Sequence, residues 1–387
     1  MARSPRSEFV SPDDRAVFMA VCRSARTALA PAPGCCRSTT DAHRVEFIED
    51  LIRRFARFFC ISVHAHAVLP FEIRLILEAR PDLVEGFNDT EAARRWLNIC
   101  PSLRPEKLRC CEPTDEEILL LTSDPSRIAQ IRSNLSNISW FLRLLQQRIS
   151  VFCNRQDNHQ GRFWGDRYRS TLLLDKSVHL LGMANVDLAA IFDESGMPDS
   201  GGVFTSEVYR RLEQMETGAV AFPQQMVADH AKTADLNVGS DLPVQVVTES
   251  APVQQCPQSQ HLAPIRLNRD PAPVTNPEFL CGFRCSDDPA LHMPLTDYLE
   301  LLALVRQGLR DCQPNQVSLR FPEQFRDLAL TRAALIDVVC NFNRLFSHVA
   351  GSPAQLDAYV TKSGKRRVWL RPAARRLFQE YFSQAVA

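Results

Sequence analysis

Ile61-Ser62-Val63-His64-Ala65-His66-Ala67-Val68-Leu69-Pro70-Phe71-Glu72-Ile73-Arg74-Leu75-Ile76-Leu77 is the stretch that decides the fold. Val, Ile and Leu dominate it, and Pro70-Phe71 interrupts it. The pattern predicts two extended runs, Ile61–Leu69 and Glu72–Leu77, folded back as a hairpin. Upstream, Ala16 to Cys22 is a short apolar run suited to a buried strand. Between them, Asp41–Phe58 reads as a helix. Phe47, Leu51, Phe55 and Phe58 fall on one side of it, with acids early and Arg late, as the helix dipole favours. Residues 1–15 are polar and read as a frayed terminus, and residues 31–42 read as a loop.

Downstream of the hairpin, a helix is predicted over Asp89–Asn98, capped by Asn88 or Asp89. A long helix follows over Asp124–Asn154, with Trp140, Leu144, Ile149 and Val151 as its apolar stripe. Then come a turn, an extended run over Arg162–Leu174, and a helix from Asp175 to about Phe192. From about 217 to 277 periodicity is lost to Pro, Gln, Ser, Val and Thr, and Leu242–Pro264 reads as a flexible linker. Helices return over Thr296–Arg310 and Thr331–Phe346. The expected organisation is a disordered 1–15, a folded 16–215, a linker 216–278 and a mostly helical 279–387 with a basic tail. The fold class is α+β, a ferredoxin-like antiparallel sheet of four or five strands with helices packed on it.

Charge adds a partition. The 387 residues carry 45 Lys+Arg and 45 Asp+Glu, so formal charge is zero. Of the bases, 40 are Arg and 5 are Lys. Codon bias alone would produce that ratio; so would a need for forked phosphate donors. Residues 177–300 hold 17 acids and 6 bases, which leaves the remainder of the chain basic by the same margin. Local charge sets the field that a partner feels.

Several classes are set aside. No apolar run reaches the about 18 residues of a membrane span. The opening Met-Ala-Arg-Ser-Pro-Arg is followed by no apolar signal core. Thirteen scattered Cys fit free thiols in a reducing compartment, so the cytoplasm is expected. Cys281, Cys285 and His292 lack a fourth ligand at zinc spacing, and no metal site is expected there.

Seven stretches carry a family likeness: Asp41–Asp50; Val63 to Pro70; Arg94-Arg95-Trp96-Leu97; Ser139-Trp140-Phe141-Leu142-Arg143; Gly161-Arg162-Phe163-Trp164-Gly165-Asp166-Arg167-Tyr168-Arg169-Ser170; Leu172-Leu173-Leu174-Asp175; and Met183-Ala184-Asn185-Val186-Asp187-Leu188. Leu295 to Leu301 resembles the same family's C-terminal extension. Together, over roughly 16–215 and 290–350, the chain resembles the single-tyrosine HUH transposases, in the branch of REP-associated tyrosine transposases and their longer bacterial relatives. The resemblance implies a domain that processes DNA for transposition, with dimers in the family. There, a His pair on one strand holds a divalent metal at the scissile phosphate. A Tyr on a helix attacks that phosphate, and a polar residue four places later completes the metal site.

This chain departs from that pattern at each catalytic position. Glu72 and Arg74 stand where the His pair is implied, and Asn185 and Ala189 stand where the Tyr and the third ligand are implied. Asn has no nucleophilic oxygen for such a link, and a guanidinium has no acceptor for a cation. The main expectation is therefore a DNA-binding derivative without catalysis and without a cofactor. An alternative is an active transposase that nicks and joins strands with Mg or Mn through relocated groups. His64 and His66, a His-apolar-His on a strand, would then be ligands, and Tyr168 the nucleophile. A third possibility is a decayed scaffold with no DNA role.

What remains of the family pattern is a binding surface. Arg143 to Lys176 holds seven bases and three acids. Arg162, Arg167 and Arg169 interleave there with Phe163, Trp164 and Tyr168. Such a mixture suits single-stranded or hairpin DNA, Arg taking phosphates and aromatics stacking on bases. It would equally be produced by core aromatics beside a solvated face. Lys362 to Arg376 is a second basic run, with Lys365, Arg366 and Arg367 at its centre. It offers contacts to flanking duplex, or is only a solvated tail.

Overall fold

The structure, a computed structural model, describes residues 10–11, 13–25, 29, 39–103, 112–189, 261–267, 282–310, 332–363 and 372. The first strand, β1 (Ala16–Arg23), leads into α1 (Thr39–Phe58), and the hairpin follows as β2 (Ile61–Val68) and β3 (Glu72–Ala79). A helical stretch comes next: α2 (Pro81–Glu85), α3 (Asp89–Ile99), α4 (Asp115–Thr122), α5 (Pro125–Leu135) and α6 (Ile138–Gln156). Then come β4 (Arg169–Leu173), α7 (Lys176–Asp187), α8 (Leu295–Arg310), α9 (Arg332–Leu345), β5 (Val349–Ala350) and α10 (Pro353–Ser363).

The strands form one sheet in the order β2-β3-β1-β4-β5. β3 pairs antiparallel with both β2 and β1, and β1 antiparallel with β4. The expectation of a wholly antiparallel sheet is corrected at one edge, where β5 runs parallel to β4 through Leu172–Val349 and Leu173–Ala350. The architecture is mixed α+β with a five-stranded mixed sheet.

Alternation sorts β3 cleanly. Its even residues face α7: Arg74 reaches Asn185, and Ile76 and Leu173 crowd Gly182. Its odd residues Ile73, Leu75 and Leu77 point to the other face and are fully buried. Cover on that side comes from α1, which packs on β2, and from α6, which packs on α1. Phe55, Phe59 and Phe141 meet between these helices with centroids 5.2–5.3 Å apart.

The predicted long helix is broken at Ser136-Asn137. Asn137 caps α6 by accepting from the Ser139 amide, and such a cap lies outside helical geometry. The extended run expected over Arg162–Leu174 shortens to β4, with Trp164 making only an isolated bridge to Ser24. Two boundaries also move. Arg15, assigned to the frayed terminus, ion-pairs with Glu78 at 2.8 Å. Residues 261–267, assigned to the linker, pack on the edge of β2, where the Ala263 amide donates to the Val63 carbonyl at 2.8 Å. An edge strand buried along its whole length needs such a cover. The C-terminal region joins the same core, with α9 against α7 and the Tyr298 hydroxyl donating to Asp187 at 2.6 Å. No described helix is long and apolar enough to cross a membrane.

Candidate functional site

Four of the positions singled out by the resemblance lie on two elements that pack against each other. Glu72 and Arg74 open β3, Asn185 lies near the end of α7, and Ala189 is buried in the turn after it. Arg74 Nη1 donates to Asn185 Oδ1 at 3.3 Å, across 111 residues of chain. Arg74 Nε donates to Glu72 Oε1, and Arg23 Nε, from the neighbouring strand, donates to Glu72 Oε2 at 2.8 Å. The Asn185 amide is anchored in turn by donating from Nδ2 to the Val339 carbonyl at 2.6 Å.

Burial works to raise the Glu72 pKa. The guanidinium of Arg74, and after it that of Arg23, outweighs burial and holds the carboxyl below its usual range. Glu72 is therefore a carboxylate between two guanidiniums. Arg169 lies one row away: Val21 of β1 pairs with Arg74 on one side and Arg169 on the other. On these two rows of three strands stand three guanidiniums and one carboxylate. The arrangement offers fixed hydrogen-bond donors and positive charge. Among the described residues, no three His, Cys, Asp or Glu side chains are grouped to hold a metal ion.

The His-apolar-His pair has another fate. A register shift between Val63 and Ala65 places an extra residue, His64, in β2. His66 then stands opposite Leu75, while His64 reaches Glu78, and Leu75 and Glu78 lie on opposite faces of β3. The bulge thus turns the two imidazoles apart, and they cannot share one cation. His64 Nδ1 lies 2.9 Å from His179 Nε2 on α7, and its Nε2 lies 3.4 Å from Glu78 Oε2. The His66 ring packs near His261, with centroids 5.3 Å apart. Burial, and then the neighbouring His64, lower the His179 pKa to about 3, so it is neutral.

Tyr168 is also corrected. It is buried, and its hydroxyl donates to Ser139 Oγ at 3.0 Å, which leaves no face for a base and no approach for a phosphate. Arg169 is half-buried and donates to the Phe346 carbonyl, so it ties β4 to the segment after α9. Trp164 is half-buried, with its indole N–H on the Gln146 carbonyl at 2.8 Å. The loop 162–168 thereby lies along α6 between Ser139 and Gln146. Its other side meets β1, where the Gly165 amide donates to the Arg23 carbonyl at 2.9 Å. Arg162 and Arg167 are exposed on this loop, and Arg143 is exposed on the stretch of α6 it crosses. Arg162 makes a surface pair with Asp166 at 3.6 Å; Arg143 and Arg167 lie over the rings of Trp140 and Tyr168. Lys365, Arg366 and Arg367 lie outside the described residues.

Two residues were missed in the sequence. Arg23 is the last residue of β1, paired with Glu72 and 65% exposed. Phe71, at the hairpin turn, is 53% exposed, and its carbonyl accepts from the Ser24 amide at 2.8 Å. An aromatic placed at the tip of an apolar hairpin was the available signal; Arg23 becomes visible only once the β1–β3 register is known. No family model, curated protein or solved structure matches the chain.

Proposed function

We propose that this chain is a transposase-like DNA-binding protein whose catalytic positions have been converted into a salt-bridged, hydrogen-bonded cluster. Its ligand is single-stranded or hairpin DNA. The observation that carries this reading is the Arg74–Asn185 contact. Two segments far apart in sequence, which the resemblance implies as the metal and nucleophile sides of one centre, do meet, and neither carries the His pair or the Tyr that this chemistry uses.

The topology supports it. β1 and β2 both run antiparallel to β3, so they are parallel to each other, and α1 makes the crossover between them. The order β2-β3-β1-β4 is that of a ferredoxin-like sheet, the finer fold we assign to residues 16–189. Exposed Arg23, Arg143, Arg162 and Arg167 supply phosphate donors around the end of that sheet. The relocated-enzyme alternative loses its named groups, since His64 and His66 face apart and Tyr168 is buried.

The test is a binding titration of the full chain with hairpin, single-stranded and duplex oligonucleotides. Binding to the first two is expected, with log K falling as log salt rises. A parallel incubation with Mg²⁺ or Mn²⁺ should give no covalent protein–DNA adduct. Absence of binding at low salt would sink the proposal, and an adduct would replace it with the enzyme reading.

A further inference from the structure

Glu72 is held as a bound anion would be held. Each of its two oxygens receives one Nε–H, from Arg74 on one side and Arg23 on the other. Carboxylate and phosphate oxygens suit the same guanidinium donors. Arg74 is nearly buried and fixed by Asn185, while Arg23 is largely exposed. The remainder of the Arg23 guanidinium has no hydrogen-bond partner among the described residues. Charge at the clamp is unbalanced, two guanidiniums to one carboxylate among the described residues. Exposed Phe71 precedes Glu72 directly and sits beside Ser24.

We infer that Arg23 and Arg74 form a phosphate clamp, and that Glu72 occupies it until a DNA strand phosphate takes its place. The inference rests on the DNA-binding reading and adds to it both a site and a restraint. The phosphodiester enters from the Arg23 side, since that side is open, and Phe71 is placed to stack on an adjacent base. Glu72 moves out with its charge, or stays and weakens the clamp; either way it opposes binding. Anions without further contacts are thereby discriminated from a strand that also engages Arg143, Arg162 and Arg167.

The experiment compares the full chain with Glu72→Gln and with the double variant Arg23→Ala/Glu72→Gln. One arm measures binding of a fluorescein-labelled hairpin oligonucleotide by anisotropy across salt. The other measures the rise of Tm in inorganic phosphate against chloride at equal ionic strength. Glu72→Gln keeps the shape and removes the charge, so it should bind the hairpin at least about fivefold more tightly. Its salt dependence should steepen by about 0.7, the value for one added strand phosphate. Phosphate should raise its Tm more than that of the parent chain, and the double variant should lose both gains. If the parent binds the hairpin and Glu72→Gln matches it in both arms, the clamp is overturned while the DNA reading stands. If no form binds the hairpin but phosphate still raises the Tm of Glu72→Gln, DNA is overturned as the occupant, and with it the reading beneath.

Discussion

Two polar clusters lie on the same face of the sheet, both against α7, and they resemble each other in layout. At one, Arg15 meets Glu78 of β3, and Glu78 faces His64, which contacts His179 of α7. At the other, Arg23 of β1 meets Glu72 of β3, and Glu72 contacts Arg74, which contacts Asn185 of α7. The difference is in charge. At the first, Arg15 and Arg80 meet three carboxylates, Glu78, Asp82 and Asp288. At the second, one carboxylate serves Arg23 and Arg74, with Arg169 beside them. The cluster that looks like a metal site in sequence carries one carboxylate more than its guanidiniums. The cluster whose residues look chemically unpromising is the one left with positive charge, the sign that suits an anion.

The comparison depends first on α7 lying close to the sheet at both clusters. Gly182 sets that approach: a Cβ there would sit 3.4–3.5 Å from Leu173, Ile76 and Phe342. Gly182→Ala should fit and leave stability near that of the parent. Gly182→Leu should push α7 away and cost about 3 kcal/mol, as overpacking does, read by denaturant unfolding. Equal effects from the two variants would mean that α7 does not depend on this contact.

The first cluster is next tested by acid. His179 has a pKa lowered to about 3 from 6.5, so below pH 6.5 the unfolded chain takes up a proton that the folded chain refuses. Stability should therefore fall as pH drops from 7 to 5, by about 2 kcal/mol from this residue. Glu78 is held at about 2, where burial is outweighed by the hydrogen bond from His64 and by Arg15, and adds a further loss only below pH 4.5. His179→Gln should flatten the pH 5–7 portion of the Tm profile. An unchanged slope would put the titrating group elsewhere.

A smaller effect concerns what holds the second cluster from behind. Tyr298 on α8 is fully buried and donates to Asp187, two residues beyond Asn185. Tyr298→Phe should cost about 1–2 kcal/mol, because the buried carboxyl loses a donor, with hairpin binding retained. Least of all in stability, Arg162→Ala/Arg167→Ala should leave Tm unchanged, since both side chains are exposed, yet weaken hairpin binding several-fold. A stability loss without a binding loss would make these arginines structural.

Much of this was legible in sequence, and the exceptions have physical causes. β1, α1, the hairpin, α3 and α7 sit within two residues of their predicted starts, because each carries a full apolar period or a capping Asn or Asp. β5 has two residues, too few for any alternation to show. Residues 261–267 join the fold through a strand two hundred residues earlier and through residues 290–291, neither of which a local pattern shows. α4 carried a Thr114–Glu117 capping box, but its apolar run hid the period. The bulge at His64 was invisible, since Ile61 to Ala67 alternates evenly as written. Because of that bulge, the two His separate, and because of strand register, Arg23 joins Glu72. Neither is a local property.

The most direct measurement is hairpin-DNA affinity in Arg74→Met set beside His64→Gln, both as full chains and both compared with the parent across salt. The account predicts that Arg74→Met weakens binding about tenfold or more and flattens the salt dependence by about 0.7, one strand phosphate. His64→Gln should leave both unchanged. If His64→Gln weakens binding as much as Arg74→Met, or if Arg74→Met binds like the parent, the assignment of the DNA-facing cluster is contradicted.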